Sequence, residues 1–163
     1  MLLDILEYPD PRLRKIAAPI TAVTAEIQEL ARDMAETMYA APGVGLAATQ
    51  VNVHKRLFVI YISDNKNDLR VFINPQIIDA EGDAECEEGC LSVRWLYGKV
   101  NRSTRVSLKA LNERGEKIQR GASGLLAQIF QHETDHLDGT LFTDLARELW
   151  EMGPEEIAEL QKE

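Results

Sequence analysis

Gln131-His132-Glu133-Thr134-Asp135-His136 lies near the end of an apolar run, and that combination sets the reading of the chain. On a helix, positions i and i+4 share a face, so the imidazoles of His132 and His136 can reach a single metal ion. Glu133 is rotated off that face and can reach a water on the metal without binding the metal itself. The pattern H-E-x-x-H thus encodes two ligands and a general base. Leu125, Leu126, Ile129, Phe130 and Leu137 supply apolar residues, Ser123 suits an N-cap and Asp138-Gly139 reads as a stop. So apolar a helix is expected to be buried, and buried His and Glu need partners. A metal would satisfy three of them at once. A pair of hydrogen-bonded core histidines is the competing reading.

Outward from this helix, the apolar spacing of Ile27, Leu30, Ala31, Met34 and Met38 predicts a second helix over about Thr24–Tyr39, ended by Pro42-Gly43. Tyr8-Pro9-Asp10-Pro11 is a turn into a short helical start at Arg12–Lys15. Leu57–Ile62 is rich in β-branched and aromatic residues and reads as a buried strand. Shorter strands are expected at Arg70–Ile73 and Gln76–Ile78, on either side of Asn74-Pro75. Val106–Leu111 and Lys117–Arg120 flank a hairpin turn at Asn112–Gly115. Strands mostly precede the His132 helix, which argues for an α+β fold with mixed, mainly antiparallel sheets around that helix. No linker, repeat or low-complexity tract interrupts residues 1–163, so one domain is expected, with a short acidic segment over about 151–163.

The 163 residues suit one domain with a sizeable core. No stretch approaches the roughly 20 apolar residues needed to cross a bilayer. Met1-Leu2-Leu3-Asp4 lacks the features of a signal peptide. Cys86 and Cys90 are too few for a disulfide framework, so a reducing cytoplasm is expected. The net charge of −9 makes nonspecific nucleic-acid binding unexpected. Residues 94–105 carry Arg94, Lys99, Arg102 and Arg105 and no acid, and are read as a solvated strand surface.

A catalytic metal site takes three protein ligands and keeps one open position. A Glu further along would make a zinc peptidase, but little chain remains. A His six residues beyond His136 would extend the motif, but Phe142 stands there. A cysteine is the third source, and Glu88-Gly89-Cys90-Leu91-Ser92 offers one just after an expected glycine turn. Cys86 with Cys90, His132 and His136 would compose a closed structural zinc set. In a strand, however, four residues span about 13 Å, too far for both sulfurs to bind one ion unless the chain folds back.

Gly43-Val44-Gly45-Leu46-Ala47-Ala48-Thr49-Gln50, Glu88-Gly89-Cys90-Leu91-Ser92 and Gln131–His136 together resemble the three motifs of the peptide deformylases, in the same order and spacing. Tyr8–Arg14 looks like that family's start, and the resemblance runs from about Leu3 to Asp144. It implies hydrolysis of the formyl group from the N-terminal formylmethionine of nascent proteins, with release of formate. It implies Cys90, His132 and His136 as ligands to one divalent ion, Fe2+ by expectation, with Ni2+, Co2+ or Zn2+ able to substitute. Water would be the fourth ligand. Activated by Glu133, it would attack the formyl carbonyl, and the oxyanion would face the metal, the Gln50 amide and the Leu91 backbone N–H. Gly43, Val44, Gly45, Tyr97, Leu125 and Gln128 would contact the substrate, with Gly45 offering backbone hydrogen bonds to an extended peptide.

The rim departs from the family pattern. Arg94-Trp95-Leu96-Tyr97 follows Val93 where a proline is usual, Tyr97 stands near a common arginine, and Gln128 occupies a commonly apolar place. Trp95 and Tyr97 could add apolar contact beyond the formylated residue or pack on the sheet. Expected partners are N-formylated peptides and nascent chains as substrates, with no membrane and no direct nucleic acid, and a monomer is expected. The acidic tail, with Glu151, Glu155, Glu156, Glu159 and Glu163 against Lys162, is not expected to dock on the ribosome.

Overall fold

The computed structural model describes residues 1–61 and 69–153. Its longest helix, α1 (Ala25–Ala40), is capped by Thr24, whose hydroxyl accepts from the Ile27 N–H. A short strand, β1 (Gly45–Ala47), leads into a 3₁₀ turn at Ala48–Val51. Then come β2 (Leu57–Tyr61), β3 (Leu69–Glu81), β4 (Ala84–Cys90), β5 (Val93–Arg102), β6 (Arg105–Leu111) and β7 (Lys117–Ser123). Helix α2 (Gly124–Leu137) carries His132, Glu133 and His136, and α3 (Phe142–Leu145) and β8 (Glu148–Glu151) complete the described fold.

The strands form two antiparallel sheets, one ordered β1-β2-β3-β6-β7 and the other β4-β5-β8. The α+β class with antiparallel sheets and few helices is therefore as expected. Strand β2 explains the packing. Its alternate side chains point to opposite faces: Leu57 and Val59 meet Ile27, Ala31, Met34 and Met38 of α1, whereas Phe58 and Ile60 meet Ala127, Phe130 and Leu137 of α2. Strand β2 is thus covered by a helix on each face and has no solvent side, whereas β6 alternates buried Val106, Leu108 and Ala110 with exposed Arg105 and Lys109. Phe58, Phe72 and Phe130 pack as a trio with centroids 5.2–6.3 Å apart. A third apolar cluster, Leu6, Leu13, Val93, Val100, Leu141 and Phe142, lies under the smaller sheet.

Several local expectations shift. Arg70–Ile73 and Gln76–Ile78 are one strand, β3, whose pairing with β6 slips between Ile73 and Gln76. Pro75 has no N–H to donate, and a bulge absorbs it. Asn74, at φ 52°, is held there by two side-chain hydrogen bonds with the backbone of Ile20, each 2.8 Å. Ser123 occupies the N-cap of α2, but its hydroxyl makes no capping bond. Gly139 ends that helix at φ 77°, where a Cβ would meet the Arg14 carbonyl oxygen at 2.3 Å, so this stop is enforced twice. Ile62 and the acidic segment from Pro154 to Glu163 lie outside the described residues. Among those described, no helix is long and apolar enough to cross a membrane.

Candidate metal centre

Helix α2 brings the two imidazoles together, and β4 supplies the sulfur. His132 Nε2 and His136 Nε2 are 3.3 Å apart, and Cys90 Sγ is 3.3 Å from His136 Nε2. These three are the one group of His, Cys, Asp or Glu side chains among the described residues whose donor atoms converge this way, all within 4.8 Å. Cys86 is outside it, its thiol 3.8 Å from the Ala84 carbonyl. His54 is also outside, with Nε2 3.1 Å from the Arg12 carbonyl oxygen.

The donor set fits a metal ion. Two ring nitrogens and a sulfur, three atoms that can each give a lone pair to a cation, converge on one point. Separations of 3.3 Å also match the edge of a tetrahedron, roughly 3.3–3.6 Å, built on metal–ligand distances of about 2.0–2.3 Å. His132 Nδ1 donates to Glu88 Oε1 at 2.8 Å, which fixes the tautomer and leaves Nε2 free for a ligand. Without an ion, burial opposes a charge on His132, but contacts with Cys90 and Glu88 hold its proton well above the usual range, while burial keeps His136 neutral.

Glu88 anchors the ring of His132 because Arg102 anchors Glu88. Both are about 5% exposed, and the guanidinium grips the carboxylate in two bonds of 2.7 and 2.8 Å. Its remaining arm reaches Asp135 at 2.6 Å. Burial pushes the Glu88 carboxyl up, but the hydrogen bonds from Arg102 and His132 outweigh it and bring the pKa to about 2. The reading of residues 94–105 as a solvated surface is therefore wrong at Arg102. In β5, Gly98, Val100 and Arg102 alternate inward against β4, and the charge is buried with two carboxylates. Glu88, Arg102 and Asp135 went unassigned from sequence. The signal available was local: an acid two residues before the candidate cysteine and an acid one before the second histidine.

Glu133 is buried beside the donors, and its Oε1 has no hydrogen-bond partner. Burial pushes its pKa up to about 7. Its carboxylate lies against the backbone of Gly45, so close that a Cβ there would meet Oε2 at 2.7 Å. Gln50 is held at both ends. Its oxygen accepts from the Ala47 N–H at 2.9 Å, and its nitrogen donates to Ser92 Oγ at 3.0 Å and stands 3.6 Å from Cys90 Sγ. The amide donor is thus turned toward the cysteine by bonds that leave it no alternative.

A cleft of about 350 Å³ opens onto these groups. Gly43, Val44, Gly45 and Gln50 line one side, Cys90, Leu91 and Tyr97 another, and Leu125, Gln128, His132 and Glu133 of α2 a third. His136 is buried behind them. The structure therefore brings the residues singled out from sequence around one cavity. Trp95 does not line it; at φ 65° it is partly exposed, and its carbonyl accepts from the Met152 N–H.

The α+β fold thus gathers around one cleft a Cys-His-His donor set that could hold a metal ion, a buried glutamate and an anchored amide. Residues 2–151 match the polypeptide deformylase family, and the chain belongs to it. It is 56% identical over 144 residues to peptide deformylase 1 of Burkholderia multivorans, covering 88% of this chain and 80% of that one. A solved peptide deformylase from Legionella pneumophila superposes with a TM-score of 0.87 at 42% identity, over 99% of this chain and 92% of that one. A class I type b peptide deformylase from Acinetobacter baumannii, solved with Met-Ala-Ser bound, superposes at 0.83 with 34% identity, over 89% and 98% of the two chains.

Proposed function

We propose that this protein is a metal-dependent hydrolase that removes the formyl group from the N-terminal formylmethionine of peptides and nascent chains, releasing formate. The observation that carries the reading is the convergence of Cys90 Sγ with the Nε2 atoms of His132 and His136, beside the unpartnered carboxylate of Glu133. Cys90 of β4 with His132 and His136 of α2, the central helix, would hold one divalent ion, with Fe2+ expected and Ni2+, Co2+ or Zn2+ able to replace it. Such an ion, when bound, supplies Lewis-acid polarisation of a carbonyl and lowers the pKa of water.

This chain's residues supply the rest. Glu133, with a pKa near neutrality and no competing hydrogen bond, is suited to take a proton from the attacking water and return it to the leaving amine. Gln50 points a preorganised N–H toward Cys90, where negative charge develops on the formyl oxygen; one such donor contributes roughly 10²–10³-fold. The backbone N–H of Leu91 is assigned the same task. Gly43, Val44 and Gly45 face Tyr97, Leu125 and Gln128 across the cleft and hold the peptide, Gly45 through its backbone. The reading places residues 1–163 as one catalytic domain, cytoplasmic and monomeric, with no role for the acidic tail at the ribosome. The test is formate release from formyl-Met-Ala-Ser by protein loaded anaerobically with iron or nickel. A loaded protein that releases none refutes the reading.

A further inference from the structure

The wall of the cleft contributed by α2 contains one polar side chain besides the histidine and glutamate of the centre. Gln128 lies between Leu125 and His132 on the same face, with Ile129 beside it. It is half-buried, and its amide nitrogen donates to the Glu87 carbonyl at 3.0 Å and to Glu88 Oε2 at 3.3 Å. Both partners can only accept. The Glu87 oxygen is a backbone carbonyl, and the Glu88 carboxylate is gripped by Arg102. A flipped amide would set oxygen against oxygen, so the orientation is fixed by chemistry. A primary amide has two hydrogens and one acceptor oxygen. Both hydrogens are committed, and no described residue donates to the oxygen. What Gln128 offers a ligand is therefore an acceptor and nothing else.

Gln128 stands one helical turn, about 6 Å along the axis, from His132. A substituent carried by the formylated residue is only a few bonds from the reacting carbon, so it falls within reach of this wall. Methionine's thioether has no hydrogen to donate, and a hydrocarbon has neither donor nor acceptor. Either one, packed against Gln128, would strip water from the oxygen and return nothing. A side chain ending in a primary amide or hydroxyl would replace that water.

Resting on the deformylase reading, we propose that Gln128 is a specificity residue that widens acceptance at the formylated position toward side chains ending in a hydrogen-bond donor. The protein should discriminate less sharply in favour of apolar first residues than a variant with an apolar side chain at 128.

The experiment compares kcat/KM for two near-isosteric substrates, formyl-Gln-Ala-Ser and formyl-norleucyl-Ala-Ser, on nickel-loaded wild type, Gln128→Leu and Gln128→Ile, with formyl-Met-Ala-Ser as reference. The ratio of the two is read within one preparation, so it does not depend on the folded fraction. In both variants it should move toward norleucine by roughly tenfold, the scale of one neutral hydrogen bond gained or left unmade. If Gln128 only ties α2 to β4, both substrates lose rate together and the ratio stays within about twofold, which overturns the inference. Formate from the methionyl peptide with an unmoved ratio leaves the deformylase reading standing and removes this one. No formate from any of the three removes both.

Discussion

Gly45→Ala tests whether the position of one carboxylate governs turnover. The added methyl would sit 2.7 Å from Glu133 Oε2, 3.1 Å from Cδ and 3.2 Å from Cγ. Comfortable heavy-atom contacts lie at about 3.5–4.0 Å, so the end of Glu133 must retreat by roughly 0.5–1 Å. No hydrogen bond opposes the retreat, because Glu133 Oε1 has none. The backbone of β1 is held by its pairing with β2, Gly45 facing Ile60, so the side chain yields first. A displacement of that size costs a well-positioned catalytic group on the order of 10²-fold. Overpacking should also destabilise the fold by about 1–3 kcal/mol. Metal content, measured by elemental analysis, should match wild type, because the three atoms nearest the added methyl all belong to Glu133 and none to a donor residue. Glu133→Gln should also keep its metal and lose at least about 10²-fold in turnover. The double variant should be no slower than Glu133→Gln alone, since both changes disable one function. A metal-replete Gly45→Ala within about threefold of wild type in kcat/KM would refute the placement of Glu133 as proton carrier, on the same scale.

Cys90→Ala should bind no stoichiometric metal, whereas Cys86→Ser and His54→Ala should retain it; metal loss from Cys86→Ser would restore the four-ligand structural site. Arg102→Ala leaves the buried Glu88 carboxylate without its guanidinium, so urea unfolding should show a loss of about 3–5 kcal/mol. Its metal affinity should fall by roughly 10–100-fold through the loosened His132 ring, and an unchanged affinity would deny Glu88 that role. In air, the iron-loaded protein should lose activity faster than the nickel-loaded one, because Fe(II) beside the Cys90 thiolate is open to oxidation. Equal decay of the two forms would count against iron at this centre.

The parts legible in the sequence are those whose pattern repeats locally. The apolar positions of α1 and α2 recur every three or four residues, and the predicted limits of α1 miss the observed ones by a single residue. The unbroken apolar run at Leu57 foretold a strand with no solvent face, and the Asn112–Gly115 turn foretold the β6–β7 hairpin. His132, Glu133 and His136 could be grouped because a single helix sets their spacing. The sulfur of Cys90 could not be placed by spacing, since a sheet edge distant in sequence delivers it to the helix. Strands β1, β4 and β8 have weak patterns of their own and are defined by the neighbours they pair with. Arg102 shows the division most sharply. In sequence it is one base in an acid-free stretch, indistinguishable from a solvated one. Its burial follows from the inward alternation of β5 against β4 and from the carboxylates of Glu88 and Asp135, which two other elements bring to it. Periodicity is a property of a segment and survives in a one-dimensional string. Charge neutralisation, the clash that reserves residue 45 for glycine and the commitment of both Gln128 hydrogens depend on distances between segments, and only the packed structure sets those.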